Sequence, residues 1–267
     1  MHKLAKKEDT TAIQQVPDYL KHAGPGQGLE NVEHGDVTLP RLGLCQALSP
    51  QRDKSDPKYI NGLEEGLYFN TVTNQVYGES VEIVPLLFYK TRMMFPPMGA
   101  GSGILCQAMD GKHGVGVPGG ECAVCQYAQF RENTEQGEKK SPPCTLFHNY
   151  AALALPEKGL PKLDSLLGVS LKSTGLKVSK DWLALMRLRG TDIFAGVYEF
   201  TAIARKNDVG KWYQPVIKPA AWVSPETYAI AKEAYGMVRE LQQGNRLAVE
   251  QDDMGASEIG REPGEEG

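Results

Sequence analysis

The sequence lacks most of what would mark an exported, membrane-spanning or catalytic protein. No apolar run approaches the roughly 18 residues that cross a bilayer. The basic start, Met1-His2-Lys3-Leu4-Ala5-Lys6-Lys7, has no apolar stretch behind it, so no secretory signal is expected. There is no P-loop, no H-E-x-x-H and no G-x-S-x-G. The zinc-deaminase pattern also fails, because no His-x-Glu occurs and Glu121 precedes Cys122 where that pattern has proline. Gly99-Ala100-Gly101-Ser102-Gly103 is a fragment of a phosphate-loop pattern, but it runs into Ile104-Leu105-Cys106 rather than a helix and reads as a hinge. Histidine is scarce, with 5 in 267 residues. No enzymatic activity is expected.

Cysteine is equally scarce, and its placement is informative. Four of the five cysteines, Cys106, Cys122, Cys125 and Cys144, fall within 39 residues, separated by 15, 2 and 18. Cys122-Ala123-Val124-Cys125 is a C-x₂-C knuckle, a spacing that lets two thiolates reach one ion from a tight turn. Structural Zn²⁺ is therefore expected, held by Cys106, Cys122, Cys125 and Cys144. His113 and His148 are alternative ligands for Cys106 or Cys144. Four clustered cysteines favour a closed site over a catalytic one with an open position. With no export signal, the compartment expected is a reducing cytoplasm, that of the host if the protein is viral.

The net charge of −4 conceals an asymmetry. Residues 250–267 hold seven acids and one base, whereas residues 80–220 hold 17 Lys/Arg against 12 Asp/Glu. A basic middle and an acidic end form an interaction arrangement.

Residues 1–35 are polar and glycine-rich and read as a flexible arm. Strands are expected within 66–78, over 81–90 with Pro85 at an edge or bulge, over 148–155 and over 168–174. A hairpin is expected from 194–205 and 211–218. Ser179 to Gly190 reads as a short helix capped by Ser179. Ser224-Pro225-Glu226 opens a second helix, which places Tyr228, Ala231, Tyr235, Val238 and Leu241 on one face and ends at Gly244-Asn245. Many short strands and few helices predict a mainly β (α+β) fold. It would be a small barrel or compact β-rich domain, with a metal-stapled insertion over 105–148 and a C-terminal helix at 223–245. Residues 246–267 read as an acidic disordered tail.

Single nucleic-acid strands are held by basic grooves with aromatic platforms. Such pairings occur at Tyr89, Lys90 and Arg92, at Tyr127, Phe130 and Arg131, and at Lys211 and Trp212. Lys172 and Lys177, with Lys180, Arg187 and Arg189, add a basic run opposed only by Asp181. Arg92, Arg131 and Lys211 are the strongest single charges for nucleic-acid binding.

Cys122-Ala123-Val124-Cys125-Gln126-Tyr127 resembles the zinc module of single-stranded-DNA-binding proteins of tailed phages, in which a C-P-x-C-x-aromatic turn sits within an OB-fold barrel. The resemblance implies an OB-like domain over 36–222 and a basic, aromatic cleft for single-stranded DNA. It also implies an acidic tail that recruits phage replication or recombination proteins and competes for the cleft; no membrane partner is expected. Ala123 stands where proline is common in that family, and four cysteines stand where its best-known members use one His and three Cys. Leu105-Cys106-Gln107-Ala108-Met109-Asp110-Gly111 is similar instead to the Leu-x-Cys-x-x-x-Asp-Gly opening of phage recombination directionality factors. Their partner would be a serine integrase.

Overall fold

The longest extended run in the chain decides the architecture. The structure, a computed structural model, describes Gly28, Asn31 and residues 39–244 except 98–102, 133–138, 158, 163–164 and 208–209. The rest of the expected arm at 1–35, most of the hinge at 99–103 and the tail at 246–267 lie outside the described residues.

In chain order the first strands are β1 (Leu42–Leu44), β2 (Tyr68–Asn70), β3 (Val76–Gly78) and β4 (Ser80–Met94). A lobe of short strands follows: β5 (Cys106–Ala108), β6 (His113–Gly116), β7 (Gly120–Glu121), β8 (Arg131–Glu132) and β9 (Lys139–Lys140). Then come β10 (Cys144–Ala154), β11 (Leu166–Lys172), helix α1 (Gly175–Leu188), β12 (Gly196–Lys206), β13 (Lys211–Trp222) and helix α2 (Pro225–Gln243). The fold is mainly β, α+β, as the sequence predicts.

β4 is the spine. One of its edges pairs with β10 from Ile83 to Met94. Its other edge is shared between two ladders, β12 at Ser80–Ile83 and β5 at Arg92–Met94. The sheet therefore forks, and this is why the expected OB-like barrel is not what forms. The order β11-β10-β4-β5-β6-β7, with β12 and β13 branching from β4, leaves β11 and β13 as ladder ends. The small sheet β1-β2-β3 lies between those ends. Arg41 makes one bridge to Gly168 of β11, and Gln46 reaches the backbone of Tyr213 in β13.

Pro85 sits at a bulge. Ala151 and Ala152 of β10 face Leu87 and Pro85, so Leu86 is the extra residue on β4. Among the described residues, each face of the sheet carries one helix. Trp182 and Met186 of α1 join Tyr150, Tyr198 and Phe200 in one core. Trp182 stacks 4.3 Å from Tyr150 and meets Phe200 edge-on at 5.1 Å. Ala231, Ala234 and Val238 of α2 pack on Val84, Leu86, Ala151 and Leu153 on the opposite face. Small residues on α2 let the helix lie close to the sheet.

The caps of α2 are local and match the sequence: Ser224 Oγ accepts from Thr227 N–H at 3.1 Å, and Pro225 opens the first turn. Helix α1 starts earlier than its sequence signal, at Gly175. Ser179 is consequently not a cap. It is buried inside the helix, and its hydroxyl contacts His148 Nδ1 at 2.7 Å and Tyr150 Oη at 2.5 Å.

Candidate metal centre and adjoining basic strip

Strand register brings two of the four cysteines together. Met94 pairs with Cys106 across β4–β5 and with Cys144 across β4–β10. Directly paired residues face the same way, so Cys106, Met94 and Cys144 line up on one face of three adjacent strands. Their outer Cα atoms stand two strand spacings apart, roughly 9.5 Å. The knuckle folds over this row. Cys122 N–H donates to Lys112 O at 2.7 Å, and Cys125 O accepts from Ala128 N–H at 3.0 Å as the chain enters a short turn of 3₁₀ helix, Gln126–Ala128.

All four cysteines are free thiols, and all four line one cavity with Met94 and Tyr127. The cavity has ≈ 10 Å³ of open space, about one atom-sized sphere. Gly114 borders it, and a Cβ there would stand 2.8 Å from Cys106 Sγ. Burial pushes the Cys122 and Cys144 thiols up; the Arg92 guanidinium pulls both down and hydrogen-bonds Cys144; the neighbouring cysteines push them up again. As placed, no set of three or more His, Cys, Asp or Glu among the described residues stands close enough to hold a metal ion. The donor chemistry and the shared cavity fit a soft tetrahedral ion.

Neither alternative ligand lines this cavity. His113 is exposed, with Nδ1 2.6 Å from Asp110 Oδ2. His148 is 4% exposed, edge-on to Phe88, and engaged with Ser179.

The expected nucleic-acid residues divide by strand parity. Lys90 and Arg92 lie on the same β4 face as Met94, a basic strip that runs into the cysteine lobe. Tyr127 lines the cavity, and Phe130, which follows the short 3₁₀ turn that carries Tyr127, is exposed. Arg131 opens β8, and Lys177 is exposed on α1. Tyr89, Lys172, Lys211 and Trp212 lie elsewhere. Tyr89 alternates to the opposite face and packs in the α2 core, where burial pushes its phenol up to about 12. Lys172 pairs with Phe147 and holds its ammonium 6.0 Å from that ring. Lys211 and Trp212 belong to the β12–β13 branch, where Lys211 bonds Glu65 at 3.3 Å and lies over Tyr213. The residues expected to line a single cleft are thus divided between the β4 strip, the α2 core, the Phe147 side of the sheet and the β12–β13 branch. Lys180, which the sequence puts only in a general basic run, follows Ser179 on α1, and its charge acts on His148.

Fold and site define a mainly β protein with a four-cysteine lobe attached to the end of its central strand. The chain belongs to the Pam3 phage gp34-like protein family, whose profile matches residues 6–243. No curated protein and no solved structure matches it. No helix among the described residues is long and apolar enough to cross a membrane.

Proposed function

We propose that this phage-family protein binds single-stranded DNA with little sequence preference, in phage DNA replication or recombination, and that structural zinc at Cys106, Cys122, Cys125 and Cys144 stiffens the binding lobe. One observation carries the reading: Lys90 and Arg92 share a strand face with Met94, which lies between Cys106 and Cys144. Basic groups thus lie on a surface continuous with the candidate metal lobe, where the exposed Phe130 can offer a stacking platform. Zinc would supply only rigidity there. The lysines and arginines would neutralise backbone phosphates, and affinity would fall steeply with salt.

A second reading has its own support. Leu105, Val115, Val117, Val124 and Phe130 all leave apolar surface exposed on the cysteine lobe. Such a surface suits a protein partner, as a recombination directionality factor would need for its serine integrase. Fluorescence anisotropy with a labelled dT oligomer and a duplex of equal length, at two salt concentrations, separates the readings. Salt-sensitive binding to the single strand supports the first. Binding to neither nucleic acid sinks it and favours the protein partner.

A further inference from the structure

Two lysines from separate elements place their charge on one buried imidazole. Lys90 of β4 pairs directly with His148 of β10. Ser179 of α1 contacts the same imidazole through its hydroxyl at 2.7 Å, and the exposed Lys180 follows it on the helix. Both ammonium charges act on His148. A third wall is the turn before β6, where Gly111 carries no Cβ because one would stand 2.9 Å from Lys90 Cβ.

Among the described residues, neither lysine forms an ion pair. The nearby carboxylates are otherwise placed. Asp110 accepts from Lys112 N–H at 2.7 Å and His113 N–H at 2.8 Å, and its second oxygen meets the His113 ring. Asp181, beside Lys180, is exposed and unpaired with any described cation. Two like charges held against one neutral ring repel each other, and an anion between them relieves that repulsion.

We propose that Lys90 and Lys180 form a seat for one phosphate group above His148. The inference deepens the single-strand reading and rests on it for the source of the phosphate, the backbone of a bound strand. Arg92, two residues along the same strand face, continues the track toward the cysteine lobe.

The test uses the full chain and three variants, Lys90→Gln, Lys180→Gln and the double variant. All alter exposed side chains, so folding is retained and is checked by circular dichroism. Inorganic phosphate is titrated while the His148 ring signals are followed by NMR, and dT-oligomer affinity is measured across a salt series. The wild-type ring signals should move with phosphate and the double variant's should not. Each single variant should weaken oligomer binding several-fold and flatten the log–log salt slope by about 0.7. If the oligomer binds and neither lysine matters, the seat is wrong and the single-strand reading stands. If phosphate moves the ring through both lysines while no oligomer binds, the seat stands and its ligand is a free phosphate. A ring signal indifferent to phosphate, with an unchanged salt slope in the variants, overturns the proposal.

Discussion

The side-chain amide of Gln46 pairs with the backbone of Tyr213 as a neighbouring strand would. Its Nε2 donates to Tyr213 O at 3.0 Å, and Tyr213 N–H donates to its Oε1 at 2.8 Å. One side chain thus joins the β12–β13 branch to the small sheet that reaches β11 through Arg41. The contact needs a close approach, because a Cβ on Gly66 would fall 2.6 Å from the Tyr213 ring.

Replacing Gln46 with Ala should therefore cost about 1–3 kcal/mol, since it leaves a Tyr213 N–H and C=O without partners. Urea unfolding measures the loss. Amide exchange should accelerate at Tyr213 and its strand neighbours while β10 stays protected. Unchanged exchange at Tyr213 would show that the clamp holds nothing.

Purified protein should carry one zinc per chain, and Cys122→Ser should lower both zinc content and thermal stability. Arg92→Ala should retain zinc about 10–100-fold less tightly in chelator competition, because Arg92 hydrogen-bonds Cys144 and its charge acts on Cys122. Arg92→Lys should recover part of that. Metal analysis finding no zinc in protein purified without chelator would end the metal reading.

Stability should fall with acid well above the carboxylate range. Burial, then Lys90 and Lys180, push the His148 imidazole down from 6.5 to about 4. Between those values the unfolded chain binds a proton that the folded one refuses. The stability is present above about pH 6.5 and is lost as pH falls toward 4, by up to about 3 kcal/mol. In His148→Gln the slope of stability against pH across this window should flatten.

Deleting residues 250–267 should tighten oligomer binding, most clearly at low salt, if the acidic segment competes with DNA for the lysines. Equal or weaker binding by the truncated chain would remove the competition idea.

Features that depend on near neighbours in sequence were legible. Ser224, Pro225 and Gly244 bound α2 as read, and the run Phe194–Lys218 folds mainly as the hairpin β12–β13. Pro85 falls at the bulge because a residue without an N–H fits where the ladder is interrupted. The cysteine spacing also singled out four residues that line one cavity.

The differences between sequence and structure share a cause. Ser179 looks like a cap because serine's local preference is for caps, but a buried partner, His148, places it inside the helix. Tyr89 looks like part of a basic aromatic patch because it adjoins Lys90, yet neighbouring strand residues face opposite sides of the sheet.

By itself the sequence determined the mainly β class, α2 with its caps, the central strand and the cysteine set, because turn chemistry, periodicity and residue spacing are local. Tertiary structure alone decided that β4 forks between β12 and β5, which keeps the sheet from closing. It also decided that Met94 stands between Cys106 and Cys144, and that the charges of Lys90 and Lys180 both act on His148. Each of these depends on register between segments far apart in the chain, which side-chain packing sets only when the whole sheet assembles.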